Sequence, residues 1–117
     1  MSKSFHENLK ENIDSYIHSV YDASENFPKS EQYDSRSQLR RSAMSVMLNY
    51  VEGYARRQSK KDRLKFLKIA YGSLKESEYL IQFSQERKWI EKPQARELLD
   101  LSDKIGRMLW GTIDAHD

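Results

Sequence analysis

Three histidines are the first candidates for acid-base or metal chemistry in this chain of 117 residues. His18 has Asp14 and Asp22 four residues to either side, which sketches a carboxylate-imidazole-carboxylate face on a helix. That spacing arises freely on any charged helix, and the face points away from the apolar stripe of its segment, so a solvated surface is expected. His6 and His116 have no recognisable partner set. The sequence holds neither the Glu-x-x-His pairs of di-iron bundles nor a His-Glu-x-x-His pattern. It has no cysteine, which removes disulfides, thiolate nucleophiles and sulfur-ligated zinc. Gly53, Gly72, Gly106 and Gly111 are isolated, so there is no phosphate-cradling loop, and no serine stands in a nucleophile elbow. The expectation is a non-enzymatic protein with no cofactor, no metal and no small-molecule substrate.

Recognition chemistry is better represented. Residues 1 to 35 carry 3 basic and 7 acidic side chains, 36 to 68 carry 10 and 2, and 69 to 117 carry 7 and 9. The formal net charge of +2 therefore conceals a middle third that is strongly positive. Its densest run is Arg56, Arg57, Lys60, Lys61, Arg63, Lys65 and Lys68, opposed by Asp62 alone. Such a cluster neutralises phosphates and releases counterions, the sequence-independent part of RNA or DNA binding. Arg36, Arg40 and Arg41 are candidates to extend that surface. The competing reading is a solvated turn that serves only solubility. Trp89 and Trp110 are candidate base-stacking platforms, but both lie beside apolar runs and are expected to anchor the core.

The elements that must position these groups are helices. With 38% hydrophobic and 32% charged residues, 2 prolines and 4 glycines, the composition is globular and poor in turn formers. Its length suits one domain, residues 1 to 117. No apolar run approaches the roughly 20 residues that cross a bilayer, and Met1 to Lys10 is polar, so a cytoplasmic protein without a membrane partner is expected. Phe5, Leu9, Ile13, Tyr16, Ile17 and Val20 recur at helical spacing after a Ser4/Glu7 capping box and before Asn26-Phe27-Pro28. Ser35 with Gln38 and Ser59 with Asp62 predict the starts of the second and third helices. The third continues through Leu64, Leu67, Tyr71, Leu74 and Ile81 to about Lys88, with Ala70, Gly72, Ser73 and Ser77 as points where another helix can approach. Pro93 suits the first turn of a fourth helix carrying Leu98, Leu101, Ile105, Met108 and Leu109. Short polar connections make these an all-α, antiparallel up-down-up-down four-helix bundle.

The second helix is apolar over an arc of roughly 200°, about twice the stripe of a surface helix. That arc runs from Val46, Leu39, Tyr50 and Ala43 to Tyr54, Met47, Val51, Met44, Ala55 and Leu48. Either its own bundle wraps it on both sides or a second copy covers part of it; self-association through Met44, Met47, Leu48, Val51, Tyr54 and Ala55 is the expectation. The complementary arc of Arg41, Ser45, Asn49, Glu52 and Arg56 is either a recognition stripe or a hydrogen-bonded network that fixes helix register. Gly53 costs about 1 kcal/mol relative to alanine in a helix, which predicts a packing reason for it.

The segments Phe27-Pro28-Lys29, Ser37-Gln38-Leu39-Arg40-Arg41-Ser42-Ala43, Asn49-Tyr50-Val51-Glu52-Gly53-Tyr54-Ala55-Arg56-Arg57 and Phe66-Leu67-Lys68-Ile69-Ala70-Tyr71-Gly72-Ser73-Leu74-Lys75-Glu76 stand in a distinctive order. In that order and spacing the chain resembles the bacterial 23S ribosomal RNA intervening-sequence proteins, also called S23 ribosomal proteins, over nearly its whole length. The resemblance implies a small, non-enzymatic four-helix bundle that assembles as a ring of five, for which nucleic-acid binding is the usual proposal. Some relatives are accessory proteins of diversity-generating reverse transcriptases, and that partner is not carried over. A protein-protein scaffold without direct nucleic-acid contact is the alternative. Where relatives often have Ile-Pro-Ala-Asn, this chain has Val46-Met47-Leu48-Asn49, which removes the proline that would kink the second helix.

Overall fold

The computed structural model describes residues 2–115, in which four helices are packed side by side within 44 × 30 × 20 Å. They are α1 Phe5–Ser24, α2 Ser35–Ala55, α3 Lys60–Glu86 and α4 Lys92–Asp114, with a short 3-10 turn at Lys29–Glu31. Each helix packs on the next, and α1 also packs on α4, which closes the up-down-up-down bundle.

Local chemistry sets most of the boundaries. Ser4 accepts from the Glu7 N–H and the Glu7 carboxylate accepts from the Ser4 N–H, so the first capping box forms as the spacing predicts. Ser59 caps α3 by accepting from the Asp62 N–H at 3.2 Å. Ser35 departs from expectation. It is the first helical residue rather than the cap; Asp34 is the N-cap, and its carboxylate instead accepts from the Gln38 side chain at 3.0 Å. Pro93 occupies the first turn of α4, where its missing N–H costs nothing. α3 ends in a Schellman turn: Trp89 N–H donates to the Ser84 carbonyl and Lys88 N–H to the Gln85 carbonyl. Lys88 takes the left-handed position, with φ 67.

The core contains Leu9, Ile13, Tyr16 and Val20 of α1, Leu39, Ala43 and Val46 of α2, Leu67, Leu74 and Ile81 of α3, and Leu98, Ile105 and Leu109 of α4. Each large aliphatic side chain so buried stabilises the fold by about 1.5–3 kcal/mol. At its centre the Tyr16 hydroxyl meets the Ser77 hydroxyl at 2.7 Å, and burial pushes the Tyr16 phenol up to about 12.

α2 and α3 form the most extensive helix pair. Ser45 Oγ meets Ser73 Oγ at 2.8 Å, and the Asn49 amide donates to the Ser45 carbonyl and hydroxyl. Ser45 therefore bridges α2 to α3 and fixes their register, with Asn49 supporting it from the same helix, whereas Arg41 on the same arc is exposed. Further along, a Cβ on Gly53 would lie 3.2 Å from Phe66 Cβ and 3.5 Å from the Arg63 carbonyl oxygen, which is the packing reason for this glycine. Gly72 differs, because nothing lies within 4 Å of a Cβ there. The tryptophans also diverge. Trp89 packs on Phe27 and Phe83, but Trp110 is 51% exposed and lies against Tyr71 at one edge of the bundle.

Candidate nucleic-acid interface

The turn between α2 and α3 is four residues long, 56–59, and is held by its own backbone. Arg56 N–H donates to the Glu52 carbonyl, Arg57 N–H to the Tyr54 carbonyl and Ser59 N–H to the Arg56 carbonyl. This fold-back brings Arg56 and Arg57 beside Lys60 and Lys61 in the first turn of α3. Lysines at a helix N-terminus add to the positive end of the helix dipole rather than offsetting it, and Asp62 is the one acidic residue of that turn. The local field therefore favours an anion.

The five corner cations do not play equal parts. Arg56 Nε is 2.7 Å from Glu52 Oε1 and its guanidinium is 3.8 Å from Asp62. The Glu52 hydrogen bond and charge hold it above its ordinary value, so this charge is compensated and clasps α2 to α3. Arg57 is exposed, donates to the Tyr54 carbonyl and lies 4.3 Å from the centre of the Tyr54 ring. Lys60 and Lys61 are exposed, while Arg63 is half-buried and acts on the Tyr50 phenol. Arg57, Lys60 and Lys61 are thus the exposed corner cations that, unlike Arg56, have no acidic partner among the described residues.

Arg36, Arg40 and Arg41 lie elsewhere. From Arg41 to Arg56 is about 22 Å of helix at 1.5 Å per residue. Arg40 is a tether between α1 and α2: it donates to Ser24 Oγ at 2.8 Å and the Tyr21 carbonyl at 3.0 Å, meets Glu25 at 3.2 Å, and stacks over Tyr21. Arg36 and Arg41 line an open groove of about 540 Å³ whose walls include Tyr33, Met44 and Leu48.

The apolar arc of α2 divides along its length and girth. Met44 and Met47 are half-buried against the core. Leu48 is 61% exposed, Val51 is 43% exposed and Ala55 is also exposed. Tyr54 is engaged within the chain, because the His6 ring stacks on it with centroids 3.5 Å apart.

His6 is the residue that sequence reasoning left without partners. Its Nδ1 lies 2.8 Å from the Tyr50 hydroxyl, so it fastens the start of α1 to the end of α2. Burial, then the charges of Lys10 and Arg57, lower its pKa, against a smaller pull from Glu7. Burial pushes the Tyr50 phenol up to about 12, so it stays protonated beside His6. The aromatic residues at 50 and 54 share one helix face with spacing four, and that was the available signal. His18 lies 3.6 Å from Asp14 with both side chains exposed. His116 lies outside the described residues. Among the described residues no group of three or more His, Cys, Asp or Glu side chains is placed to hold a metal, and no helix is long and apolar enough to cross a membrane.

No curated protein sequence is significantly similar to the chain. Among solved structures, a protein of unknown function from the S23 ribosomal protein family of Bacteroides thetaiotaomicron VPI-5482 is similar with a TM-score of 0.85 and 20% identity, covering 95% of this chain and 99% of that one. At that identity the likeness shows the fold. The family model described as 23S rRNA-intervening sequence protein matches residues 9–111, which reaches into all four helices. The chain therefore belongs to the 23S rRNA-intervening sequence protein family.

Proposed function

We propose that this protein is a non-enzymatic, self-associating helical module that binds RNA or DNA through the corner between α2 and α3. The observation that carries the reading is the exposure of Arg57, Lys60 and Lys61 at one tight turn, where the positive end of the α3 dipole reinforces them. Arg63 flanks the site. Arg56 supports it by holding the turn closed through Glu52 and Asp62. Self-association is supported by the uncovered Leu48 and Val51, and copies joined in this way present several corners to one nucleic acid, raising avidity without a strong individual site. The assembly implied by the resemblance is a ring of five.

The test is a salt titration of nucleic-acid binding with the parent chain and the Arg57→Gln/Lys60→Gln/Lys61→Gln variant. The variant is expected to bind more weakly at every salt concentration, and its log affinity should fall less steeply with log salt, by about 0.7–0.9 per lost phosphate contact. Identical titrations reject the corner as the site. The exposed groove beside Leu48 also favours a second reading, a protein-interaction scaffold, which gains if the parent chain binds no nucleic acid at low salt.

A further inference from the structure

The outward face of α3 extends beyond the corner. Lys61, Lys65, Lys68, Gly72, Lys75 and Tyr79 follow one another at steps of four and three residues, which places them in a single row along the helix, and all six are exposed. From Lys61 to Lys75 the row covers about 21 Å, a length equal to about six nucleotides of a stacked strand at 3.4 Å each.

The character of this row changes along it. Its first half is cationic through Lys61 and Lys65. Its second half is close to neutral, because Lys75 meets Glu78 at 3.1 Å and the neighbouring Arg107 of α4 meets Asp103 at 3.0 Å. What the row offers from its middle onward is aromatic surface. Trp110 is 51% exposed and its ring lies 5.3 Å from Tyr71, which carries Lys75 5.3 Å from its own ring centre. These rings border an open depression of about 270 Å³ lined also by Gly106, which packs on Leu74, and Gly111, which has nothing within 4 Å of a Cβ. Midway, Gly72 likewise leaves bare backbone. A glycine inside a helix costs about 1 kcal/mol relative to alanine, and neither of these has a neighbour within the chain that requires it.

We infer that the α3 face is a track for single-stranded nucleic acid: its phosphates run from the corner along the lysine row, its backbone passes close over Gly72, and an unpaired base stacks on Trp110 beside Tyr71. The inference rests on the phosphate-binding reading above and adds the class of nucleic acid and a second contact. Cations alone do not distinguish strands from duplexes. A half-exposed indole beside the middle of the row does, because only an unpaired base has a free π-face to lay against it. An acidic peptide would satisfy the lysines but leave the tryptophan without a purpose.

The test measures fluorescence anisotropy with a labelled single strand of about twelve thymidines and a labelled hairpin duplex with as many phosphates, a length suited to the track. Trp110→Ala is expected to weaken single-strand binding about fivefold or more and to leave duplex binding unchanged, while Trp110→Phe restores most of the loss. In a Trp89→Phe background, where Trp110 is the single tryptophan, the strand should quench indole emission and polyglutamate should not. Because Trp110 is at the surface, melting temperatures of the variants report whether the fold is intact. Duplex and single strand bound equally, with Trp110→Ala without effect and no quenching, overturn this inference while leaving the corner reading standing. Failure of the parent chain to bind either probe removes both.

Discussion

His6 has two partners that set its charge in advance. The Tyr50 phenol, pushed up to about 12 by burial, keeps its proton and lies 2.8 Å from Nδ1, and burial with the nearby Lys10 and Arg57 charges lowers the imidazole pKa and so favours its neutral form. A histidine whose pKa is lowered on folding favours the native state only while neutral. In the unfolded chain it takes its proton near the ordinary value of 6.5, whereas in the folded chain it does so at lower pH. Between those two points the unfolded state binds more protons, so the contribution is complete above 6.5, falls as the pH drops below it, and levels off under the folded value. Urea midpoints measured from pH 8 downward should therefore fall more steeply for the parent chain than for His6→Gln, in which this titration is gone. Parallel curves would show that the clasp to Tyr50 and Tyr54 does not sense protonation. The carboxylates lost at still lower pH are common to both proteins and cancel in the comparison.

At the scale of the elements, α2 and α3 show what residue type reveals and what it hides. The caps at Ser4 and Ser59 were legible because the donor lies three residues from the acceptor. The Asp34 cap was missed because Ser35 offers the same chemistry one residue later, and helical periodicity does not resolve a single residue. Ser45 and Asn49 read equally well as solvent-facing, since the hydroxyl that answers Ser45, on Ser73, is 28 residues away and belongs to another helix. Trp110 was expected in the core from its apolar neighbours; it lies at the bundle's edge, where the buried stripe of α4 has already turned inward through Leu109 and Ile113. The candidate site was legible as a run of charge, but not its division into the compensated Arg56 and the exposed Arg57, Lys60 and Lys61, which depends on where Glu52 and Asp62 point. Two glycines test the α2–α3 packing quantitatively. Gly53→Ala gains about 1 kcal/mol of helix propensity but sets a methyl 3.2 Å from Phe66 Cβ and beside the Arg63 carbonyl. Overpacking of that kind costs about 1–3 kcal/mol, so a net loss of about 1 kcal/mol in chemical denaturation is expected. Gly72→Ala, with open space around it, should gain about 1 kcal/mol. Equal stabilisation by both substitutions would mean that Gly53 does not govern the approach of the two helices.

At the scale of the whole molecule, the outer side of α2 is a surface that the core of the bundle does not explain. α2 contributes Leu39, Ala43, Val46 and Tyr50 inward, yet Leu48 and Val51 remain outside with Ala55, beside the half-buried Met44 and the 93% exposed Tyr33. Scattered apolar residues are ordinary on a surface, but Met44, Leu48, Val51 and Ala55 follow one another at steps of three and four residues on one helix, and so form a strip rather than a scatter. The strip runs up to the corner at Ala55, but its large exposed side chains, Leu48 and Val51, precede Arg57 by six residues or more, so a copy seated on those two is expected to leave Arg57, Lys60 and Lys61 accessible. Leu48→Glu/Val51→Glu is therefore expected to lower the solution mass measured by light scattering to that of one chain while preserving helical circular dichroism, because neither side chain is needed inside the bundle. Val46→Glu, at 0% exposure, is expected to unfold the chain instead. A parent chain that is already monomeric, with a mass unchanged by the double substitution, would remove self-association and with it the gain from avidity. If the double variant becomes monomeric, its nucleic-acid affinity should fall although every corner cation is still present, because each chain then engages through a single corner.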